Sequence, residues 1–406
     1  MKYIERITGE IPHTHKTVDI ELKGKNLIVT GANGSGKTSL LQAINYIAST
    51  SVNSQGESNL KKVTEQLKEL RNMLLLQENG SVEYNRYKQK IDNMEHIASE
   101  FEIAHSINVI FTDKDVLINN YNNNKATLCY YEDKRYSEIA PASVPQSLAD
   151  ELDTNLGVAQ YKNVGKYLEQ HLLNLKTRRS FAITEDNNMT LADEIDRWFN
   201  SFESILKRIF EDDEIKLKFD THKNRNKFLI QQKEKPLFSF QTLSAGYSAI
   251  FDVYADLLMR TEYFGVKPFE LEGIVFVDEI DSHLHVSLQR LILPFLIESF
   301  PQLQFIVTTH SPFILTSTLD TLVYDLGKDE SCVISEVKSP NEVLRDYLGV
   351  PVAMPIWAEN RLNEIMKKYS ALEPDKISFE SLKKELTESG LAEFFPESAA
   401  KILEAH

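Results

Sequence analysis

The octapeptide Gly31-Ala32-Asn33-Gly34-Ser35-Gly36-Lys37-Thr38, with Ser39 next, restricts this chain more than any other feature. It fits G-x-x-x-x-G-K-[ST]. Its flanks fit as well. Residues 26–30 (NLIVT) are a short apolar run of strand texture, and residues 38–48 (TSLLQAINYIA) carry helical spacing. Strand, glycine-rich turn and helix in that order make a phosphate-binding loop. Glycines let successive backbone N–H groups curl around phosphate oxygens, and the helix start adds partial positive charge. The pattern assigns Lys37 to the β- and γ-phosphates of a nucleotide and the Thr38 hydroxyl to Mg²⁺. The alternative is a plain glycine turn, which would not require the strand and helix on either side.

Such a loop needs an α/β frame, and the chain supplies one. Residues 17–22 (TVDIEL) alternate as a strand does. From 242 to 325 the texture gives a helix over 247–260, a buried strand over 274–277, a helix over 286–299 and a buried strand over 304–308. Residues 49–59 read as a Ser/Asn/Gly-rich linker. Leu60, Val63, Leu67, Leu70 and Leu74 step by threes and fours, Asn79-Gly80-Ser81 interrupts, and Tyr84, Tyr87, Ile91, Met94, Ala98 and Phe101 resume the spacing. This predicts a helical hairpin about 30 Å long at ~1.5 Å per residue, or two helices lying flat on the body. Residues 106–131 read as strands around an NNYNNNK turn, 146–210 as mainly helical, 226–239 as a strand pair, and 340–406 as helices punctuated by prolines. The resulting division is 1–50, the first part of a nucleotide-binding head; 51–105, a helical hairpin insertion; 106–145, an antiparallel β lobe; 146–225, a helical lobe; 226–338, the second part of the head; and 339–406, a helical tail.

Bulk properties exclude several classes. With 42% hydrophobic and 26% charged residues, the 406-residue chain is of ordinary globular composition and not a disordered one. A net charge of -15 gives no support to nucleic-acid binding by overall charge, so any DNA contact would need a local basic patch. Lys176, Arg178 and Arg179 form one candidate patch, and Lys223, Arg225 and Lys227 another, though such clusters are more often solvated surface. Cys129 and Cys332 lie far apart, which excludes a disulfide framework or zinc ligand set and suits a reducing cytoplasm. The N-terminus has no apolar signal core and no run of about 18 apolar residues occurs, so no membrane span is expected.

Four further segments carry chemistry. Ile274-Val275-Phe276-Val277-Asp278-Glu279 is a buried strand ending in two acids. Asp278 at its tip can hold Mg²⁺, and Glu279 can polarise an attacking water as general base; the alternative is a solvated acidic loop. Leu243-Ser244-Ala245-Gly246-Tyr247 offers a hydroxyl and glycine amide at a helix start, either as an anion-binding surface or as a simple N-cap. Thr308-Thr309-His310-Ser311-Pro312 follows the apolar run Gln304-Phe305-Ile306-Val307 and puts a histidine at a strand end, for catalysis or for structure. In Ile280-Asp281-Ser282-His283-Leu284-His285 the two histidines lack further ligands at metal-binding spacing.

Taken together, these segments resemble the ABC-class P-loop ATPases in family order over residues 26–312, with an insertion. Leu243–Tyr247 is similar to the LSGGQ-like signature, with Ala245 for a glycine and Tyr247 for the usual glutamine. Ile280–His285 is similar to the D-loop, and His310 to the switch histidine that contacts the γ-phosphate and catalytic water. The His-Leu-His form resembles the RecF/SMC/OLD-like branch, although Val286 stands where proline is common. The resemblance implies an α/β fold: a P-loop ABC-type head, with a mixed sheet flanked by helices and an antiparallel β lobe, carrying the hairpin and tail. It implies ATP and Mg²⁺ as cofactors. It also implies a homodimer, or a higher oligomer, whose heads share composite sites: Ser244 and Gly246 act on the partner's nucleotide and Asp281 communicates across the interface. The glutamine that would complete the site is open among Gln146, Gln160 and Gln170, and no adenine-contacting residue stands out. The chain is similar to the small ATPases of Septu-type, abortive-infection and retron-associated defence systems. That implies a separate effector, a nuclease or toxin, because 313–406 has no Asp-x-Asp of a TOPRIM nuclease. A DNA-repair ATPase acting on DNA is the second reading, and an ATP-binding scaffold of little turnover the third. A transporter subunit is disfavoured by the hairpin directly after the loop helix.

Overall fold

The computed structural model describes residues 2–52, 56–75, 77, 81, 83–84, 86–91, 106–146, 163–221, 226–319, 321–327 and 330–333, with a few positions between 361 and 389. The chain divides into two units, Met1–Val337 and Lys338–His406. In the second, the described residues include an ion pair between Arg361 and Glu364 at 3.0 Å. The first unit holds every motif discussed above.

Its frame is a six-stranded sheet. The strands are β3 (Leu27–Thr30), β5 (Ala126–Tyr131), β8 (Glu272–Val277), β9 (Leu303–Thr308), β10 (Leu322–Asp325) and β11 (Glu330–Val333), in the order β11-β10-β3-β9-β8-β5. All neighbours are parallel except β10 and β11. Every residue of β3, β9 and β10 is buried, as expected of strands covered on both faces. Parallel pairing brings the carboxyl ends of β3, β9 and β8 to one edge, where ligands bind in open α/β sheets.

A second, antiparallel sheet runs β2-β1-β4, from β1 (Ile4–Glu10), β2 (Thr17–Glu21) and β4 (Ile107–Phe111). Helix α1 (Lys37–Val52) touches β4 on one side and β5 and β9 on the other. Its Leu40, Leu41 and Ile44 share one core with Ile7 and Ile20 of the antiparallel sheet and with Val29, Phe276 and Ile306 of the central one. Gln304 is the polar pin between the sheets. It is fully buried, its Oε1 accepts from Tyr3 N at 3.0 Å and Ile4 N at 2.7 Å, and its Nε2 donates to Ile4 O at 3.0 Å and Lys25 O at 2.9 Å.

The remaining helices are α2 (Gly56–Leu75), α3 (Lys114–Asn122), α4 (Leu168–Thr184), α5 (Met189–Phe210), α6 (Ala245–Phe264), α7 (Val286–Ser299) and the short α8 (Pro312–Leu315). On α5 the buried Ala192, Ile195, Phe199, Phe202, Leu206 and Ile209 repeat at three- and four-residue steps, so one stripe packs and the rest faces water. Helix α6, by contrast, buries most of its length.

The α/β class read from the sequence is what the chain adopts, but some local expectations change. The strand–turn–strand expected over 106–131 contains α3: Asp113 caps it by accepting from Val116 N, and Leu117 and Tyr121, one helical step apart, are buried. The turn is confined to the residues after α3, where Asn124 takes φ 53°. β4 and β5 therefore join different sheets. The linker read over 49–59 is shorter, because α1 runs to Val52 and α2 starts at Gly56. The helical segment 146–225 also contains a strand, β6 (Lys216–Asp220), which pairs with β7 (Lys227–Gln231); Phe238 adds a bridge to Ile230. The first arm of the expected hairpin is α2, while 92–105 of the second arm, and most of 339–406, lie outside the described residues.

Gln304→Leu tests the polar pin. It leaves the Tyr3 and Ile4 amides without an acceptor in the core, which should cost about 2–4 kcal/mol in chemical denaturation.

Candidate functional site

The loop after β3 needs its glycines. Gly31, Gly34 and Gly36 take φ 143°, 74° and 100°, values that other residues rarely adopt. A Cβ on Gly36 would also sit 2.7 Å from Thr14 Cγ2. Lys37 opens α1 and is only 5% exposed, and its Nζ donates to Gly31 O at 3.2 Å and Ala32 O at 3.1 Å. Ala32, Asn33, Gly34 and Thr38 are exposed, and Ser39 is half-buried. The Ser35 hydroxyl is buried with no protein partner. The loop thus offers open backbone, an unsatisfied hydroxyl and an ammonium held only by carbonyls, a donor set suited to an anion such as a phosphate chain. Burial pushes the Lys37 pKa below the ordinary lysine range, and the negative fields of Glu279, Asp278 and Asp281 oppose that shift.

Those three acids follow β8. Asp278 is buried, and its Oδ1 accepts from Thr308 Oγ1 at 2.6 Å. The same Thr308 oxygen accepts from Glu279 N at 2.7 Å, and Thr308 O accepts from Ile280 N at 3.0 Å. Glu279 takes φ 43°, a left-handed backbone that costs a non-glycine residue about 1–2 kcal/mol. Asp281 accepts from Thr309 Oγ1, and Thr309 N donates to Val29 O at 3.1 Å. The ends of β3, β8 and β9 are therefore tied into one cluster. His310 follows Thr309 and is half-buried. Burial first, then the Lys37 cation, lowers its pKa against the pull of Asp281 and Glu279, so its imidazole is neutral at neutral pH.

Ser244 and Gly246 open α6. Ser244 is exposed and holds the N-cap position, but its side chain makes no capping hydrogen bond, so its hydroxyl does not do the work of a simple cap. A Cβ on Gly246 would lie 3.2 Å from His283 O and 3.2 Å from Leu288 Cδ1, so the first turn of α6 packs closely on the segment after the acids. His285 caps α7 by accepting from Ser287 N. His283, at φ 64°, stands beside the Tyr136 ring at 6.2 Å. Among the described residues no group of three or more His, Cys, Asp or Glu side chains could hold a metal ion.

Two of the three candidate glutamines meet at Asn174. Gln170 Nε2 donates to Val144 O at 2.9 Å and Asn174 Oδ1 at 3.1 Å, and the Gln146 backbone exchanges hydrogen bonds with Asn174. Gln160 lies outside the described residues. Of the basic clusters, Lys176 lies over the Phe199 ring at 4.1 Å and Arg179 pairs with both oxygens of Asp196, while Arg178 is exposed. Lys223 and Arg225 lie outside the described residues, and Lys227 begins β7. Sequence reasoning missed the hydroxyls of Thr308 and Thr309 as organisers of the acids, and it missed Arg135 altogether. The paired threonines before His310 were the available signal for the first two.

A phosphate loop after one parallel strand, with a histidine after the next strand and an acid pair after the one beyond it, defines a P-loop ATPase head of the AAA/ABC-like type. Residues 68–316 match the family described as "AAA domain, putative AbiEii toxin, Type IV TA system", and the chain belongs to that family. The matched span starts after the phosphate loop and contains the acid pair and His310. Among curated relatives, "Retron Ec83 probable ATPase" of Escherichia coli is 35% identical over 143 residues, 34% of this chain and 24% of that protein. "Septu protein PtuA" of Bacillus thuringiensis is 27% identical over 155 residues, 34% of this chain and 39% of that one. The matches thus span less than half the length of these relatives. A solved Smc head bound to the C-winged helix domain of ScpA aligns over 82% of this chain and 97% of its own, at 13% identity and TM-score 0.37. Among the described residues no helix is long and apolar enough to cross a membrane.

Thr308→Val removes the acceptor for Glu279 N and the donor to Asp278 at nearly constant volume. ATP turnover, measured by phosphate release, should fall about 10–100-fold while nucleotide binding persists.

Proposed function

We propose that this chain hydrolyses ATP at composite sites formed by two heads, and that the cycle switches a separate effector in a defence system. The observation that carries the hydrolysis is the convergence of Lys37, Asp278, Glu279 and His310 at the ends of three adjacent parallel strands. The amides of Gly31 to Thr38 hold the phosphates, with Ser35 and Ser39 beside them, and Lys37 reaches the β- and γ-phosphates. Thr38 and Asp278 are the hard oxygen donors that Mg²⁺ takes, and the ion would supply charge neutralisation on the phosphates. Glu279, fixed through Thr308, acts as general base toward water. His310, neutral, contacts the γ-phosphate side.

The dimer rests on Ser244. An exposed hydroxyl that makes no capping bond to its own helix, at the start of 20 helical residues, presents an anion-binding end outward. In a head-to-head pair, Ser244 and Gly246 face the partner's nucleotide and Asp281 lies near the interface, so ATP favours the closed dimer. Segments 1–50 and 226–338 would form the head together with β5 from segment 106–145, the rest of which would be its β lobe, and 51–105, 146–225 and 339–406 would be its insertion, helical lobe and tail. Relatives named for retron and Septu systems support a partner effector, which we take to be a nuclease or toxin acting with this chain in the cytoplasm. Two of the three residues of the first basic cluster are engaged within the chain, which gives less support to a DNA-acting role.

The test is the mass in solution of Glu279→Gln with and without ATP and Mg²⁺, beside wild type and Ser244→Arg. ATP should drive self-association of Glu279→Gln, and Ser244→Arg should abolish it. An unchanged mass on ATP binding would replace the switch with a constitutive assembly or scaffold, and absence of ATP binding would overturn the reading.

A further inference from the structure

Beneath the acid pair lies the guanidinium of Arg135, 1% exposed and the largest fully buried side chain of the described residues. It comes from the turn after β5. Its Nη1 donates to Asp278 O at 2.5 Å and to Glu132 O at 2.9 Å, and its Nη2 donates to Glu279 O at 2.9 Å. Nε has no partner. Among the described residues no carboxylate pairs with the guanidinium. The fields of Asp252, Asp281, Asp278 and Asp133 offset part of the burial that lowers its pKa.

A buried cation spent on main-chain carbonyls is an expensive way to close a turn, because desolvation costs several kcal/mol per ion and neutral partners repay it less than a carboxylate does. What it secures here is specific. β8 ends at Val277, so the carbonyls of Asp278 and Glu279 lie beyond the strand's last residue. On the amide side Thr308 already holds Glu279 N and Ile280 N. On the carbonyl side Arg135 holds Asp278 O and Glu279 O. Both peptide units flanking the left-handed Glu279 are thereby pinned, and that backbone sets where the Glu279 carboxylate points. A planar fork with donors on two nitrogens can span successive carbonyls, whereas an ammonium carries its donors on one point.

We propose that Arg135 is a positioning residue for ATP hydrolysis, holding the Glu279 main chain in its left-handed conformation so that the carboxylate is aimed at the attacking water. The inference rests on the reading of Glu279 as general base. Arg135 does not meet the nucleotide, so its loss should affect the rate and leave binding intact.

The test compares Arg135→Met and Arg135→Lys with wild type and Glu279→Gln in the full chain, measuring ATP affinity with a fluorescent analogue, KM and kcat. Arg135→Met should lose about 100-fold in kcat, as misplaced catalytic groups do, with KM and affinity within about threefold. Arg135→Lys should recover less than about a tenth of wild-type kcat. The inference is overturned if either variant binds ATP and turns over within about threefold of wild type, or if kcat falls only in step with lost affinity, the mark of a structural role. If Arg135→Met does not fold, Arg135→Lys decides. Wild-type turnover in Glu279→Gln would sink the general-base reading itself; an inactive Glu279→Gln beside a normal Arg135→Met would sink this inference alone.

Discussion

Two adjacent threonines at the end of β9 hold the site together. β9 is the strand between the phosphate-loop strand and the acid strand, so whatever fixes its carboxyl end fixes both neighbours. Thr308 ties Asp278 and Glu279 through one hydroxyl and Ile280 through its carbonyl. Thr309 ties β3 through its amide and Asp281 through its hydroxyl. Ser311 N closes the set by donating to Thr309 Oγ1 at 2.9 Å, so His310 sits between two anchored residues. Short polar side chains are required here, because each must serve as donor and acceptor at once within a buried strand end.

Charge explains why this cluster tolerates burial. Lys37 and Arg135 are both buried, and among the described residues neither pairs with a carboxylate. Yet Asp278 and Asp281 act electrostatically on both cations, and Glu279 on Lys37. The acids thus lie between two positive centres. A lone buried cation would be driven to neutralise or to drag in water. An arrangement of alternating sign favours the charged ammonium against its burial while leaving its N–H donors on replaceable carbonyls, and a phosphate oxygen is a stronger acceptor than a peptide carbonyl.

Much of this was legible in the sequence, and the limits follow distance along the chain. The phosphate loop is contiguous, and its glycines, lysine and flanking periodicities are local signals. The buried strands 274–277 and 304–308 and the helix 286–299 were readable for the same reason. Helix α3 was hidden because asparagine-rich segments usually turn, and here a cap at Asp113 and two buried side chains overrode that preference. β6 was readable but passed over: Ile215, Leu217 and Phe219 alternate with polar residues as a strand does, but the segment directly follows a long helix and is short. Arg135 was invisible because its partner carbonyls lie 143 and 144 positions away, and main-chain acceptors leave no mark on the residue types.

The same non-local bonding joins the helical lobe to the acids. Asp256, on α6 and 2% exposed, accepts from Val164 N at 2.7 Å, from Tyr131 Oη at 2.6 Å and from Arg260 Nε at 2.8 Å. Tyr131 is the last residue of β5, and its carbonyl accepts from Asp278 N at 2.9 Å. The turn that precedes α4, the α6 helix, β5 and the acid pair are thus connected by consecutive hydrogen bonds, most of them buried. Tilting α6 away from β5 would break the Tyr131 Oη bond to the buried Asp256 carboxylate, at about 1.5–3 kcal/mol for a hydrogen bond to a charged group, while the Arg260 pair, within α6, would move with the helix. Movement of the α6 N-terminus, where Ser244 and Gly246 lie, is therefore least costly when α6 and β5 travel together, and β5 carries the bond to Asp278 with it.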